Sequence, residues 1–319
     1  MREANRRSGA YDTSVRTRYL LALVLSSAIG GCVSASSAVV SPTDVLPEKA
    51  PGTYREALTF GGTARKFVLV VPKAYDASRR LPLVVLLHGW MGDANQILND
   101  TGFAAKANRE GFVLAAPEAM GDPKGWNAGF LDLSGKNHPD DAGFVSAVID
   151  QAEREVGIDP DRLFVAGHSN GAMLAHLVGA KLSSQVAAVA AVSGTIGLPA
   201  GAGKSAITVP APSSPVSVIV LHGQADPLVA YDETHPGLLN GIGAPASAKW
   251  WAEHDGCTPA AVRSTGEQFE EQVDTYASGR NRTEVELVTY PQGAHLWPSD
   301  ATDLIWKFFL AHPRQISKS

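Results

Sequence analysis

Leu163-Phe164-Val165-Ala166, Gly167-His168-Ser169-Asn170-Gly171 and Ala172-Met173-Leu174-Ala175-His176-Leu177-Val178 are consecutive, and their reading decides the fold. The first four residues are an apolar run of strand length, and the last seven continue as a helix rich in small residues. A G-x-S-x-G between a strand and a helix is the arrangement called a nucleophile elbow. Glycine is required on either side because a Cβ there would strike the neighbouring strand or helix. Ser169 is thereby pushed out at the carboxyl end of the strand. It stands at a helix N-terminus, whose unpaired N–H groups favour developing negative charge.

Outward from the elbow, elements follow in a regular order. Residues 54–60 and 65–71 alternate and are separated by Gly61-Gly62, which predicts an antiparallel hairpin at a sheet edge. Residues 83–87 and 112–116 are continuous apolar runs of the kind buried on both faces of a parallel sheet. Between them, 103–110 fits a helix ended by Gly111. Asp140 or Asp141 caps the next helix, whose apolar residues Phe144, Val145, Val148, Ile149 and Ala152 share one face until Gly157 stops it. After the elbow and a helix over 172–182, residues 186–192 and 216–221 read as core strands. Pro245 suits the start of a helix over 246–254, 284–289 is a last strand, and 300–311 a last helix. Strands alternating with helices imply an α/β protein with a mostly parallel sheet and helices on both faces, in one domain.

A serine hydroxyl is a poor nucleophile until a base takes its proton, and an acid must hold that base in the right tautomer. His222-Gly223-Gln224-Ala225-Asp226-Pro227 directly follows the strand at 216–221, which puts Asp226 at a strand's carboxyl end. Asp232 is the alternative acid. Gly293-Ala294-His295-Leu296-Trp297 lies between the last strand and the last helix, so His295 is the expected base. Of the other histidines, His88 and His222 end apolar strands and read as supporting groups, while His168 adjoins Ser169 but should point away. His176, His254 and His312 lie in or at the edge of helices, and His138 and His235 in polar loops. For the oxyanion, the expected donors are the N–H of Asn170 and that of Trp90, in His88-Gly89-Trp90-Met91-Gly92. Trp126 and Trp297 are the expected substrate-pocket residues, with Trp90 as a further flat apolar wall.

The N-terminus has a different layout. Arg16 and Arg18 precede an apolar run at 19–25 that passes through Ser26-Ser27-Ala28 into Ile29-Gly30-Gly31-Cys32, the pattern of an export signal. Small residues before Cys32 resemble the lipobox of bacterial lipoproteins, in which cleavage exposes the cysteine and its thiol carries lipid; ordinary cleavage nearby is the alternative. Residues 1–31 are thus expected to be a signal, 32–52 a Ser/Ala/Pro-rich tether, and 53–319 the domain. The full chain of 319 residues has 27 basic and 32 acidic residues; losing five Arg and two acids with the signal leaves a net charge of −8, which does not attract nucleic acid. The membrane would be met only through Cys32. Cys257 is the other cysteine, so neither a disulfide framework nor a cysteine-based zinc site is implied.

Leu87-His88-Gly89, Gly125-Trp126-Asn127, Asp140-Asp141-Ala142-Gly143-Phe144, Ile158-Asp159-Pro160-Asp161-Arg162, the elbow with Asn170, His222-Gly223-Gln224-Ala225-Asp226 and His295-Leu296-Trp297-Pro298 together resemble one branch of the α/β-hydrolases. It holds feruloyl esterases, acetylxylan esterases and polyhydroxybutyrate-depolymerase-like lipoproteins, and the likeness runs from about Tyr54 to Phe309. It implies an exported serine carboxylesterase without cofactor or metal, acting on small-molecule or polymer esters through an acyl-enzyme. Many such relatives pair the position of Cys257 with a second cysteine, where this chain has Ala277-Ser278-Gly279. Residues 193–215 are Gly/Ala/Ser/Pro-rich without a helical apolar face, so no lipase-type lid is expected, and short-acyl or aromatic-acid esters should be preferred to long-chain lipids. Two other readings share these residues: a peptidase of the prolyl-oligopeptidase type, and a non-catalytic envelope lipoprotein.

Overall fold

The computed structural model describes residues 46–135, 138–201, 203–258, 261–265 and 271–315. The expected signal, Cys32 and most of the expected tether lie outside them. In chain order the first elements are β1 (Gly52–Phe60), β2 (Thr63–Val71), β3 (Leu81–Leu87), α1 (Ala94–Thr101), α2 (Phe103–Glu110) and β4 (Val113–Pro117). A small ribbon, β5 (Met120–Gly121) with β6 (Lys124–Gly125), precedes α3 (Asp141–Glu155), β7 (Ile158–His168), α4 (Asn170–Lys181) and β8 (Ala188–Val192). A second ribbon, β9 (Gly197–Leu198) with β10 (Ile207–Thr208), is followed by β11 (Ser217–Gly223), α5 (Ala244–Asp255), β12 (Val262–Thr265), β13 (Gln272–Tyr276), β14 (Val285–Tyr290) and α6 (Ala301–Ala311).

Ten strands form one sheet in the order β1-β2-β4-β3-β7-β8-β11-β14-β13-β12. The six from β4 to β14 run parallel, and both edges are antiparallel, one being the hairpin expected around Gly61-Gly62. Continuous apolar strands follow from the two covered faces. Leu83, Val85 and Leu87 join the core under α3, α4 and α5, while Val84 and Leu86 join the core under α1, α2 and α6. Each such side chain, removed from water, contributes on the order of 1.5–3 kcal/mol before chain entropy is counted.

Three features depart from the sequence reading. Helix α1 was not expected; its sign was Asp93, whose side chain accepts from the Gln96 N–H at 2.9 Å as an N-cap. Strands β12 and β13 were not expected either, because β12 is exposed throughout and carries no apolar alternation. The folded region also starts before Thr53: Glu48 bridges to Val156, and the Lys49 ammonium reaches Glu56 and Glu155, each at 2.7 Å. Of the two possible caps of α3, Asp140 accepts from the Gly143 N–H, while Asp141 is buried and paired with Arg65 at 2.7 Å. Among the described residues no helix is long and apolar enough to cross a membrane.

Candidate active site

The elbow forms where β7 meets α4. Ser169 has φ 55° and ψ −122°, a strained conformation for a residue with a side chain, and it is held by its N–H donating to Val192 O at 2.8 Å. The flanking glycines make the turn possible. A Cβ on Gly167 would lie 2.2 Å from Gly171 O, and one on Gly171 would lie 2.3 Å from Leu87 O. Strand, elbow and the end of β3 are therefore packed backbone against backbone.

Three strand ends converge here. Ser169 follows β7, Asp226 follows β11 and His295 follows β14. His295 Nε2 is 2.8 Å from Ser169 Oγ, and His295 Nδ1 is 2.7 Å from Asp226 Oδ2. With Nδ1–H donating to the carboxylate, Nε2 is free to accept from the serine hydroxyl, a tautomer assigned from these partners. Asp226 Oδ1 accepts from the N–H groups of Leu228 and Val229, and His222 Nε2 lies 3.3 Å from Oδ2. Burial works against the charge, but the hydrogen bonds from His222, His295 and Val229 outweigh it and hold the Asp226 carboxyl well below the usual carboxylate range. Asp232, the alternative acid, instead folds back on its own loop, accepting from the N–H groups of Thr234 and His235.

The two loops carrying Asp226 and His295 touch each other. A Cβ on Gly223 would lie 2.1 Å from Gly293 O, and Ala225 N–H donates to that same oxygen at 3.0 Å. Only glycine fits at 223, so this contact sets how close Asp226 can come to His295.

On the opposite side of Ser169, a Cβ on Gly89 would stand 3.4 Å from Ser169 Cβ, so the loop after β3 lies directly over the serine. The Met91 N–H is taken by Lys124 O. The N–H groups of Trp90 and Asn170 have no backbone partner among the described residues. A cleft of about 690 Å³ opens at Ser169 and His295, bordered by Trp90, Met91, Leu228 and Trp297. Trp90, Met91 and Leu228 are exposed at its mouth.

Two expected placements are corrected. Trp126 is not a pocket wall: it is fully buried, its backbone paired with the Asn170 side chain and its indole N–H with His88 O. His168 does not point away, because its ring packs 5.1 Å from that of His295 and 6.3 Å from that of Trp297, inside the cleft. Burial, and then the neighbouring His295, bring its pKa down to about 4, so it stands beside His295 as a neutral ring. Trp297 borders the cleft and is fixed by donating to Thr302 Oγ1 at 3.0 Å. Among the described residues Cys257 forms no disulfide; it lies against Thr283 O at 3.9 Å, and burial pushes its thiol up to about 11. Among the described residues no three His, Cys, Asp or Glu side chains converge as a metal site would require.

A mostly parallel sheet between two helical layers, with Ser, His and acid side chains on its strand ends, defines an α/β-hydrolase. Residues 66–242 match the family described as Esterase PHB depolymerase, and the chain belongs to it. Among curated proteins it is 25% identical over 284 residues to feruloyl esterase C of Emericella nidulans, covering 84% of this chain and 94% of that one. It is 30% identical over 194 residues to NocK of Nocardia uniformis subsp. tsuyamanensis, covering 60% of this chain but only about half, 54%, of NocK. The fold matches that of the acetyl xylan esterase from Aspergillus awamori with a TM-score of 0.60 at 15% identity, over 81% of this chain and 98% of that one.

Proposed function

We propose that the protein is a serine carboxylesterase acting on short-acyl or aromatic-acid esters. The observation that carries this reading is the hydrogen-bonded line from Ser169 Oγ through His295 to Asp226, at 2.8 and 2.7 Å. In the first half-reaction His295 Nε2 takes the Ser169 proton as Oγ attacks the ester carbonyl carbon. The carbonyl oxygen becomes an oxyanion facing the N–H groups of Trp90 and Asn170. His295 then returns its proton to the departing alcohol, leaving an acyl group on Ser169. Water repeats the sequence: it loses a proton to His295, attacks the acyl carbon, and Ser169 leaves with the proton restored. Asp226 stays ionised throughout and stabilises the imidazolium.

Family membership supports ester hydrolysis, and the names of the relatives support acyl groups of acetyl or feruloyl type. The flat, partly exposed rings of Trp90 and Trp297 at the cleft suit such groups. Residues 1–32 support export with a lipid anchor at Cys32, so the enzyme would work on the outer side of a bacterial inner membrane or beyond. A fluorophosphonate probe followed by peptide mapping tests the core of this reading. Labelling at Ser169, with turnover of acetyl, butyryl or feruloyl esters, is expected. Folded protein that takes no label and turns over no ester would point to a binding module instead.

A further inference from the structure

Two buried aromatic side chains, Trp126 and His88, meet beneath the oxyanion loop. Ala119 N–H donates to His88 Nε2 at 3.1 Å, which leaves the ring proton on Nδ1. That proton is donated to Gly89 O at 2.7 Å, and the same oxygen accepts from Gly92 N–H at 3.1 Å. Gly89 O belongs to the peptide whose N–H is that of Trp90. In a trans peptide the C=O and N–H point in opposite directions, so anchoring the oxygen from below aims the Trp90 N–H away from His88. The ring is 1% exposed, and burial lowers its pKa although the bond to Gly89 O opposes this, which keeps it neutral and keeps Nε2 an acceptor.

Trp126 joins this arm to the other donor. Its indole N–H donates to His88 O at 2.8 Å, and its ring lies 4.9 Å from that of His88. Its backbone N–H donates to Asn170 Oδ1 at 2.7 Å, while Asn170 Nδ2 donates back to Trp126 O at 3.2 Å. Both bonds of the Asn170 side chain therefore end on one residue. The N–H groups at Trp90 and Asn170 come from loops 80 positions apart in sequence, yet one buried residue is bonded to both supports.

We propose that His88 and Trp126 are positioning residues that brace the two N–H donors of the oxyanion hole as a unit, Trp126 being the strut between them. The inference rests on the esterase reading above. An oxyanion hole acts through donors already in place, and displacement by a fraction of an ångström is felt in the transition state more than in substrate binding.

The test uses Trp126→Phe, which removes the indole N–H and part of the ring but keeps an aromatic side chain, with His88→Gln and His88→Asn. Asparagine can place an amide N–H where Nδ1 stands; glutamine reaches only the Nε2 position. Turnover per Ser169 labelled by a fluorophosphonate, KM, and inhibition by an aryl trifluoromethyl ketone, which forms a hemiketal oxyanion on serine, are measured for each. Trp126→Phe and His88→Gln should lower kcat roughly ten- to a hundredfold. KM should stay within about twofold while ketone affinity falls by the same factor as kcat/KM. His88→Asn should keep more turnover than His88→Gln. Losses confined to melting temperature or to the labelled fraction, with turnover per labelled site unchanged, would overturn the proposal, as would a change seen in KM alone. A parent that neither hydrolyses esters nor takes the label would bring down the esterase reading and this inference with it. An active parent with unaffected variants would remove the inference alone.

Discussion

At Ser169 the hydroxyl stands on a turn rather than in packed core, so Ser169→Ala should leave the melting temperature near that of the parent. Ester turnover should fall by several orders of magnitude, as expected for losing the nucleophile of a triad. His295→Ala should be as damaging and Asp226→Asn somewhat less, while Asp232→Asn, whose carboxylate only caps its own loop, should keep parental kcat. If Asp232→Asn is the inactive one of the pair, the acid is misassigned. Asp255 carries a second residue-level prediction. It is fully buried at the end of α5, one oxygen accepts from Val216 N–H at 3.1 Å, and burial pushes its carboxyl up to about 7. Its unfolded value is about 4, so folding takes up a proton between these limits and stability falls as pH rises from roughly 4 to 7. Asp255→Asn removes that dependence. Melting curves should show the variant gaining on the parent from pH 5 to pH 8; a constant difference would mean that Asp255 does not titrate in this window.

Among the elements, the parallel strands were the most legible, because burial on both faces writes itself as unbroken apolar runs at β3, β4, β8 and β11. The elbow and the loop carrying Asp226 could be located for the same reason, whereas the run before His295 is broken by Glu286 and Thr289, and that loop is found from its place after the last strand in the order Ser, acid, His. Helix α1 and strands β12 and β13 were not legible. The first is short, with its cap as the main cue, and the strands are held by edge pairing rather than by an apolar face. Nor could sequence show which way His168 and Trp126 point, since that is decided by neighbours far along the chain. Two predictions belong to this scale. Gly223→Ala should drive the acid loop off Gly293, so both kcat and thermal stability should drop; an unchanged kcat would show that the two loops move independently. The interval between β8 and β11 holds only the β9–β10 ribbon and no helix among its described residues. Butyrate ester turnover should therefore rise smoothly through the substrate's solubility limit, and a jump there, with faster cleavage of long-chain esters, would reveal a lid.

For the molecule as a whole, the described residues belong to one compact unit, Val45–Ser319, and the anchor proposed at Cys32 lies before it. Cys32→Ser should move the protein from the membrane to the soluble fraction without altering its turnover. A parent already fully soluble on fractionation would exclude lipidation.

Strand β8 contributes no side chain to the proposed triad, yet it lies between β7, which leads to Ser169, and β11, which leads to Asp226; β14 follows with His295. Ser169, Asp226 and His295 are thus spaced by four neighbouring strands, and their alignment is inherited from pairings such as Phe164 with Ala188, Val218 with Val189 and Leu221 with Val288. Sliding any one of these strands by a single position would carry its terminal residue about 3.3 Å along the sheet and turn its side chains to the opposite face. No misaligned form could keep bonds of 2.7 and 2.8 Å across all three groups. With the proposed triad, turnover therefore doubles as a register gauge: after refolding from denaturant, the fraction of molecules that turn over substrate counts the chains whose central strands have found their proper partners and leaves out any slipped population that circular dichroism would score as native.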